Sequence, residues 1–326
     1  MATSLIPSAA AAFLHAHGWA GAAVLPLAGD ASFRRYFRVV NGPRRAILMD
    51  APPPQEDPRP FIAVADWLRA RGFAAPQVLA ADLEAGLVLI EDFGDERMRE
   101  ALDADPAAGA GLYRQAVDTL VALHAEPAGP WRAYDRAELH REANLLVEWY
   151  CPAAGIAPDI AGYGAAWDAV FDVVLEGAPV TVLRDYHAEN LMLLEGGKRL
   201  GLLDFQDALA GHCAYDLVSL LQDARRDVEP EIEAAMLAHY TSATGAGAAF
   251  DCAYHVLGAQ RNAKIIGIFT RLWQRDGKAR YPALCPRVWR YLEQDLAHPA
   301  LAPVAAWFAA NIPAGKRGNP MQVGGL

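Results

Sequence analysis

The stretch VLRDYHAENLMLLEGGKRLGLLDFQD, residues 182–207, decides how this chain is read. Two short apolar runs, Leu191 to Leu194 and Leu200 to Leu203, flank the turn-forming segment Glu195-Gly196-Gly197-Lys198. That pattern predicts a β-hairpin. In an antiparallel hairpin the residue entering the first strand lies across from the residue leaving the second, so Asn190 and Asp204 come to its open end. Asp185 lies on the loop leading in. Carboxylates gathered at one edge of a buried hairpin are costly unless a cation joins them. Oxygen donors of this kind suit magnesium, which keeps several waters and is completed by substrate phosphates. The constellation points to phosphoryl transfer.

Upstream, the runs at 22–29, 34–40 and 44–50 are β-rich, and Asn41-Gly42 between the last two is a strong hairpin signal. Residues 59–73 place Phe61, Val64, Ala65 and Leu68 on one stripe, which predicts an amphipathic helix. Residues 77–82 and 86–94 return to strand. The order βββαββ builds a small twisted sheet with one helix against it, and beyond Gly94 the pattern is helical apart from the hairpin. A boundary is therefore expected near residue 95, giving units 1–95 and 96–326. The tail GKRGNPMQVGGL, from residue 315, is expected to be disordered.

Composition narrows the function classes. The 326 residues suffice for about two domains. A formal charge of −10, from 29 basic and 39 acidic residues with no basic stripe, argues against a nucleic-acid binder. Cys151, Cys213, Cys252 and Cys285 are scattered and form no C-x-x-C pair, so they read as reduced thiols. The N-terminal stretch lacks a basic leader and reads as a first helix, and no apolar run approaches a membrane span. A cytoplasmic protein without an obligate protein partner is the expectation.

The run Asp185-x-x-x-x-Asn190 followed by Asp204-Phe205 resembles the catalytic loop and metal-binding Asp-Phe motif of protein kinases. The run LLDFQDALAGHCAYDL, residues 202–217, more closely resembles the aminoglycoside phosphotransferase and choline kinase family. Within it, residues 29–39, 46–53, 202–211, 214–228 and 260–272 are similar to the bacterial branch that phosphorylates the anomeric hydroxyl of N-acetylmuramate and N-acetylglucosamine during cell-wall recycling. The resemblance implies an α+β, two-lobed, protein-kinase-like fold with a small β-rich N-lobe for the nucleotide and a larger helical C-lobe. It also implies ATP and Mg2+ as cofactors and an amino sugar as the small-molecule partner.

Carried over by matching position, Asp185 orients the attacking hydroxyl, Asn190 and Asp204 hold magnesium, and Asp216 pins the backbone of the catalytic loop. His187 either donates to the transferred phosphate or merely packs. Gly29, Ser32, Arg34 and Arg35 lie on the loop expected to cover the phosphates, and the backbone from Glu91 to Phe93 is expected to read the base. A kinase strand usually ends in a phosphate-binding lysine, yet the matching position here is Met49. Arg34, Arg35, Arg44 and Arg45 are the candidates to replace its charge.

For the acceptor, Glu148 and Trp149 pair a carboxylate with an aromatic face, as carbohydrate sites often do, though an ordinary amphipathic helix explains them equally. Gln206, Asp207 and Arg225 are further candidates. Arg261, Lys264, Arg271 and Arg275 recur on one face of a helix, either to meet the lactyl carboxylate of N-acetylmuramate or as a solvated surface. Two alternatives stay open: an aminoglycoside or choline kinase with a cationic acceptor, and a nucleotide-binding pseudokinase without turnover.

Overall fold

A computed structural model describes residues 6–27 and 33–324. Packing divides the chain into two compact units, Met1–Pro106 with Ala188–Ala208, and Ala107–His187 with Leu209–Leu326.

The first unit is built on a five-stranded antiparallel sheet. Its strands are β1 (Ala23–Pro26), β2 (Arg35–Asn41), β3 (Arg44–Asp50), β4 (Val78–Asp82) and β5 (Leu87–Glu91), in the spatial order β1-β2-β3-β5-β4. The β2–β3 turn closes at Asn41↔Arg44, with Gly42 in the left-handed region at φ 60°. One sheet face buries Phe37, Val39, Ala46, Leu48, Leu87 and Leu89 against Phe13, Leu14 and Trp19 from α1 (Ala10–Ala16) and the turn after it. Helix α2 (Arg59–Ala70) buries the predicted stripe Phe61, Val64, Ala65 and Leu68.

The hairpin of β6 (Leu191–Leu194) and β7 (Arg199–Leu202) forms in the expected register, Leu191↔Leu202. The sequence boundary at residue 95 leaves this hairpin with the helical region, whereas packing groups it with the sheet-bearing unit. The reason is hydrogen bonding: Leu193 N–H donates to Glu96 O (2.7 Å) and Leu202 N–H to Ala74 O (2.7 Å). Arg99 also pairs with Glu189 at 3.0 Å.

The second unit is mostly helical and is organised around Ala248–Gln274, a helix of 27 residues. Its middle, Val256 to Ala263, is buried on every side, so polar Gln260, Arg261 and Asn262 sit inside the protein. Gln260 donates to Leu139 O (3.0 Å) and Asn262 to Gln222 Oε1 (2.7 Å), while Arg261 Nη1 and Asn262 Oδ1 are left without a partner among the described residues. Gly267 lets the helix approach closely, because a Cβ there would lie 2.3 Å from the backbone of Leu145. Segment 315–324 corrects the expectation of a disordered tail. The Tyr150 hydroxyl donates to Lys316 O (2.6 Å) and accepts from Gly318 N–H (2.9 Å), and Lys316 Nζ donates to Val323 O (2.6 Å). Among the described residues, no helix is long and apolar enough to cross a membrane.

Candidate active site

In the second unit, a short strand at Val180–Val182 delivers the chain into the loop carrying Asp185. The loop is fixed from beneath by Asp216, which is fully buried and accepts from both Leu183 N–H (2.7 Å) and Arg184 N–H (2.8 Å). Burial pushes the Asp216 carboxyl up to about 7, against the pull of those two N–H groups and of Arg261. Ser219 adds a third support by donating to Arg184 O (3.0 Å), and Arg261 donates to Ser219 Oγ (2.8 Å). Arg184 is held at φ 71°, a conformation that L residues adopt only when their surroundings impose it. Asp185, half-buried, is therefore presented by a backbone fixed at the two residues before it.

The Arg184 side chain reveals a cluster that sequence reasoning missed. It reaches Glu142, fully buried on helix Arg136–Ala143, where Lys264 Nζ also arrives at 2.8 Å and the Tyr134 hydroxyl donates a short hydrogen bond. Burial would push the Glu142 carboxyl up, but Lys264 and Arg184 outweigh it and hold it at about 2. A signal was present: Glu142 continues the apolar positions Leu139, Ala143 and Leu146, and a carboxylate on a core stripe requires buried cations.

In the first unit, Leu203 N–H donates to Asn190 O (3.0 Å), which closes the hairpin's open end with Asn190 and Asp204 beside it. Asp204 is exposed at φ 58°, while Phe205 is fully buried and stacks on Phe61 of α2 with ring centroids 5.1 Å apart. The buried ring thus anchors the turn that projects the carboxylate. Gln206 Nε2 donates to Asp204 Oδ1 (2.9 Å) and lies 3.4 Å from Asp207 Oδ2, spanning two exposed carboxylates. An accessible set of hard oxygen donors, one already oriented by an amide, fits a cation that retains waters and phosphate ligands.

Gly29 and Ser32 lie outside the described residues. Arg34 pairs with Glu56 at 3.6 Å, and Arg35 faces buried Asp50 across the β2–β3 ladder at 2.5 Å. Arg44 instead stacks over Trp19, 4.2 Å from the ring centroid, at the opposite end of β3 from Met49. Met49 itself is fully buried opposite Tyr36 and Val88. Burial pushes the Tyr36 hydroxyl up to about 12, with Arg34 pulling it down and Asp204 and Glu56 pushing it further up. Arg34 and Asp204 thus both act on the Tyr36 hydroxyl. Glu91 caps the Gln77 backbone, accepting from its N–H at 3.1 Å. The Phe93 ring packs on Gly201, where any Cβ would lie 2.7 Å from it, and Arg38 ties neighbouring Asp92 at 2.7 Å.

The helix-face expectation needs correction. Arg261 and Lys264 are not a solvated basic face: Arg261 is 4 % exposed beneath the Asp185 loop, and Lys264 is spent on Glu142 and the Tyr215 hydroxyl (3.0 Å). His187 is buried and accepts from Arg225 Nη1 at 3.1 Å, which places both in one internal contact. Glu148 is exposed and Trp149 half-buried on a π-helical turn, Leu146–Tyr150.

Residues 23–250 match the phosphotransferase enzyme family. The chain is 40% identical to an N-acetylmuramate/N-acetylglucosamine kinase of Caulobacter vibrioides, over 94% of this chain and 96% of that one. It is also 40% identical to a kinase of the same name from Pseudomonas aeruginosa, over 90% of this chain and 91% of that one. Among solved structures, a choline/ethanolamine kinase family protein from Mesorhizobium loti superposes with a TM-score of 0.65 at 15% identity, covering 94% of this chain and 98% of that one. The fold is accordingly kinase-like, with a β-sheet region and a mostly helical remainder.

Proposed function

We propose, from the premise that the chain belongs to the phosphotransferase enzyme family, that it transfers the γ-phosphoryl group of ATP to the anomeric hydroxyl of N-acetylmuramate and N-acetylglucosamine. The product is the sugar 1-phosphate, and the reaction serves cell-wall recycling in the cytoplasm. The curated relatives support the choice of acceptor. The observation that carries the chemistry is the bracing of Asp185: a solvent-facing turn aspartate has no need of a buried carboxylate accepting from the two preceding N–H groups.

Asp185 accepts a hydrogen bond from the attacking hydroxyl, holding one oxygen lone pair toward phosphorus and taking the proton as the new bond to the γ-phosphorus forms and its bond to the bridging oxygen breaks, releasing ADP. Asn190 and Asp204 would hold magnesium, with Gln206 fixing the Asp204 rotamer. Bound there, the ion neutralises charge on the nucleotide phosphates. Arg34 supplies the fixed positive charge that a strand lysine gives in protein kinases, and Glu56 orients it as an acidic partner would orient that lysine. Arg35, held by Asp50, borders the same phosphate-covering loop. The backbone from Glu91 to Phe93 receives the base. Most of the rate enhancement comes from positioning and charge stabilisation.

Phosphorus NMR of the protein with magnesium-ATP and N-acetylmuramate tests the reading. A new phosphomonoester signal coupled to the anomeric proton is expected, and Asp185→Ala and Asp204→Ala should each lower kcat by roughly 10²- to 10⁴-fold while keeping the wild-type circular dichroism spectrum. Intact ATP with either amino sugar would remove the assignment. Near-normal turnover in a variant would remove that residue's role.

A further inference from the structure

Two helical tracks of the second unit run side by side in the same direction. Glu142 meets Lys264 at 2.8 Å, and three residues on along each track the backbone of Leu145 lies against Gly267. Glu148 follows three residues beyond Leu145 and Arg271 four beyond Gly267. The charge on Glu148 acts on the Arg271 guanidinium. Yet no ion pair joins the two, and among the described residues neither side chain makes a hydrogen bond. Arg271 Nε is buried without a partner. Two opposite charges on facing turns, both unspent, are an arrangement that a bound group can complete.

The backbone here is built rather than incidental. Residues 146–150 form a π-helical turn, a rare feature that recurs at functional sites. Leu145, just before it, lies against Gly267, and Tyr150, its last residue, holds the C-terminal segment. Glu148 and Trp149 keep access to solvent. On the helix leading into the turn, Arg141 lies 3.7 Å from the same Glu142 Oε1 that Arg184 grips, and the charge on Arg141 acts on Arg271. Burial, with Arg275 beside it, presses the Arg271 guanidinium toward its neutral form, so an arriving anion meets a cation already partly stripped of water.

Resting on the sugar-kinase reading, we propose that Arg271, with Glu148 and Trp149 of the solvent-accessible π-helical turn, is the acceptor subsite that distinguishes the two sugars. The guanidinium takes the lactyl carboxylate that N-acetylmuramate has and N-acetylglucosamine lacks. Glu148 accepts from ring hydroxyls common to both, and Trp149 offers its face to the sugar.

Steady-state kinetics on the full chain test this with Arg271→Met, which keeps the aliphatic stem and removes the charge, and Arg271→Lys, which restores a point charge. For Arg271→Met, the ratio of kcat/KM for N-acetylmuramate to that for N-acetylglucosamine should fall by about tenfold or more, the scale of one lost charge-assisted hydrogen bond, chiefly through KM. Arg271→Lys should recover part of it. An unchanged ratio in Arg271→Met overturns the subsite and leaves the kinase reading standing. A wild-type protein inert toward both sugars overturns the kinase reading, and the subsite with it.

Discussion

Glu142 and Glu148 stand six residues apart on one helical track, each facing a cation on the long helix Ala248–Gln274, and the two have opposite fates. Glu142 is fully buried and shared by Lys264, Arg184 and the Tyr134 hydroxyl. Glu148 is exposed and its carboxylate is unshared among the described residues, with Arg271 close enough to feel it. One cluster is saturated and fixes the backbone beside Asp185. The other is open and can be completed only from outside. Similar residue types on adjacent turns thus divide into support and recognition according to burial and the number of partners already present.

Charge removal should separate them most strongly. Glu142→Gln leaves Lys264 and Arg184 buried without their counterion, a defect that typically costs about 3–5 kcal/mol. Glu148→Gln removes a surface charge and should stay within about 0.5 kcal/mol. Urea unfolding of both variants, compared at constant m-value, measures the contrast. Equal stabilities would break the comparison at its root.

Acid should sharpen it. The Glu142 carboxyl is depressed from 4.5 to about 2 in the folded chain. Its stabilising contribution is therefore fully present above pH 4.5 and is lost as pH falls through that window toward 2. Thermal unfolding between pH 6 and 3 should decline more steeply for the wild type than for Glu142→Gln below pH 4.5. Parallel curves would mean that this carboxyl is not held as the structure indicates.

Much of this was legible in the sequence where the signal is local. The Gly196-Gly197 turn between apolar runs announced the hairpin, and the spacing of Phe61, Val64, Ala65 and Leu68 announced α2, whereas the grip of Asp216 on the loop was implied only by the family resemblance. What stayed hidden depends on partners distant in the chain. Helical periodicity groups Arg261, Lys264, Arg271 and Arg275 on one face, but cannot show that Glu142 and Ser219 wait in the interior for two of them. The π-helical turn has no compositional signature. The C-terminal segment reads as disordered from its Gly, Lys and Arg content, and is ordered because the Tyr150 hydroxyl needs backbone partners there.

The smallest expected effect belongs to Arg275, and it discriminates between two ways of attracting a carboxylate. Arg275 lies one helical turn beyond Arg271 but is exposed and engaged by its neighbour, with Nε 2.7 Å from Asp276 Oδ1 and Nη2 2.9 Å from Oδ2. A surface pair of this kind contributes about 0–1 kcal/mol. Arg275→Ala should therefore leave both stability and the ratio between the two sugars close to wild type in unfolding and kinetic assays at about 0.15 M salt, where charges more than ~8 Å apart are largely screened. If Arg275→Ala instead depresses N-acetylmuramate turnover as far as Arg271→Met does, the carboxylate is responding to the summed charge of the helix end. A null effect in Arg275→Ala beside a loss in Arg271→Met requires a placed guanidinium, because the two substitutions remove the same formal charge and differ only in where it sits.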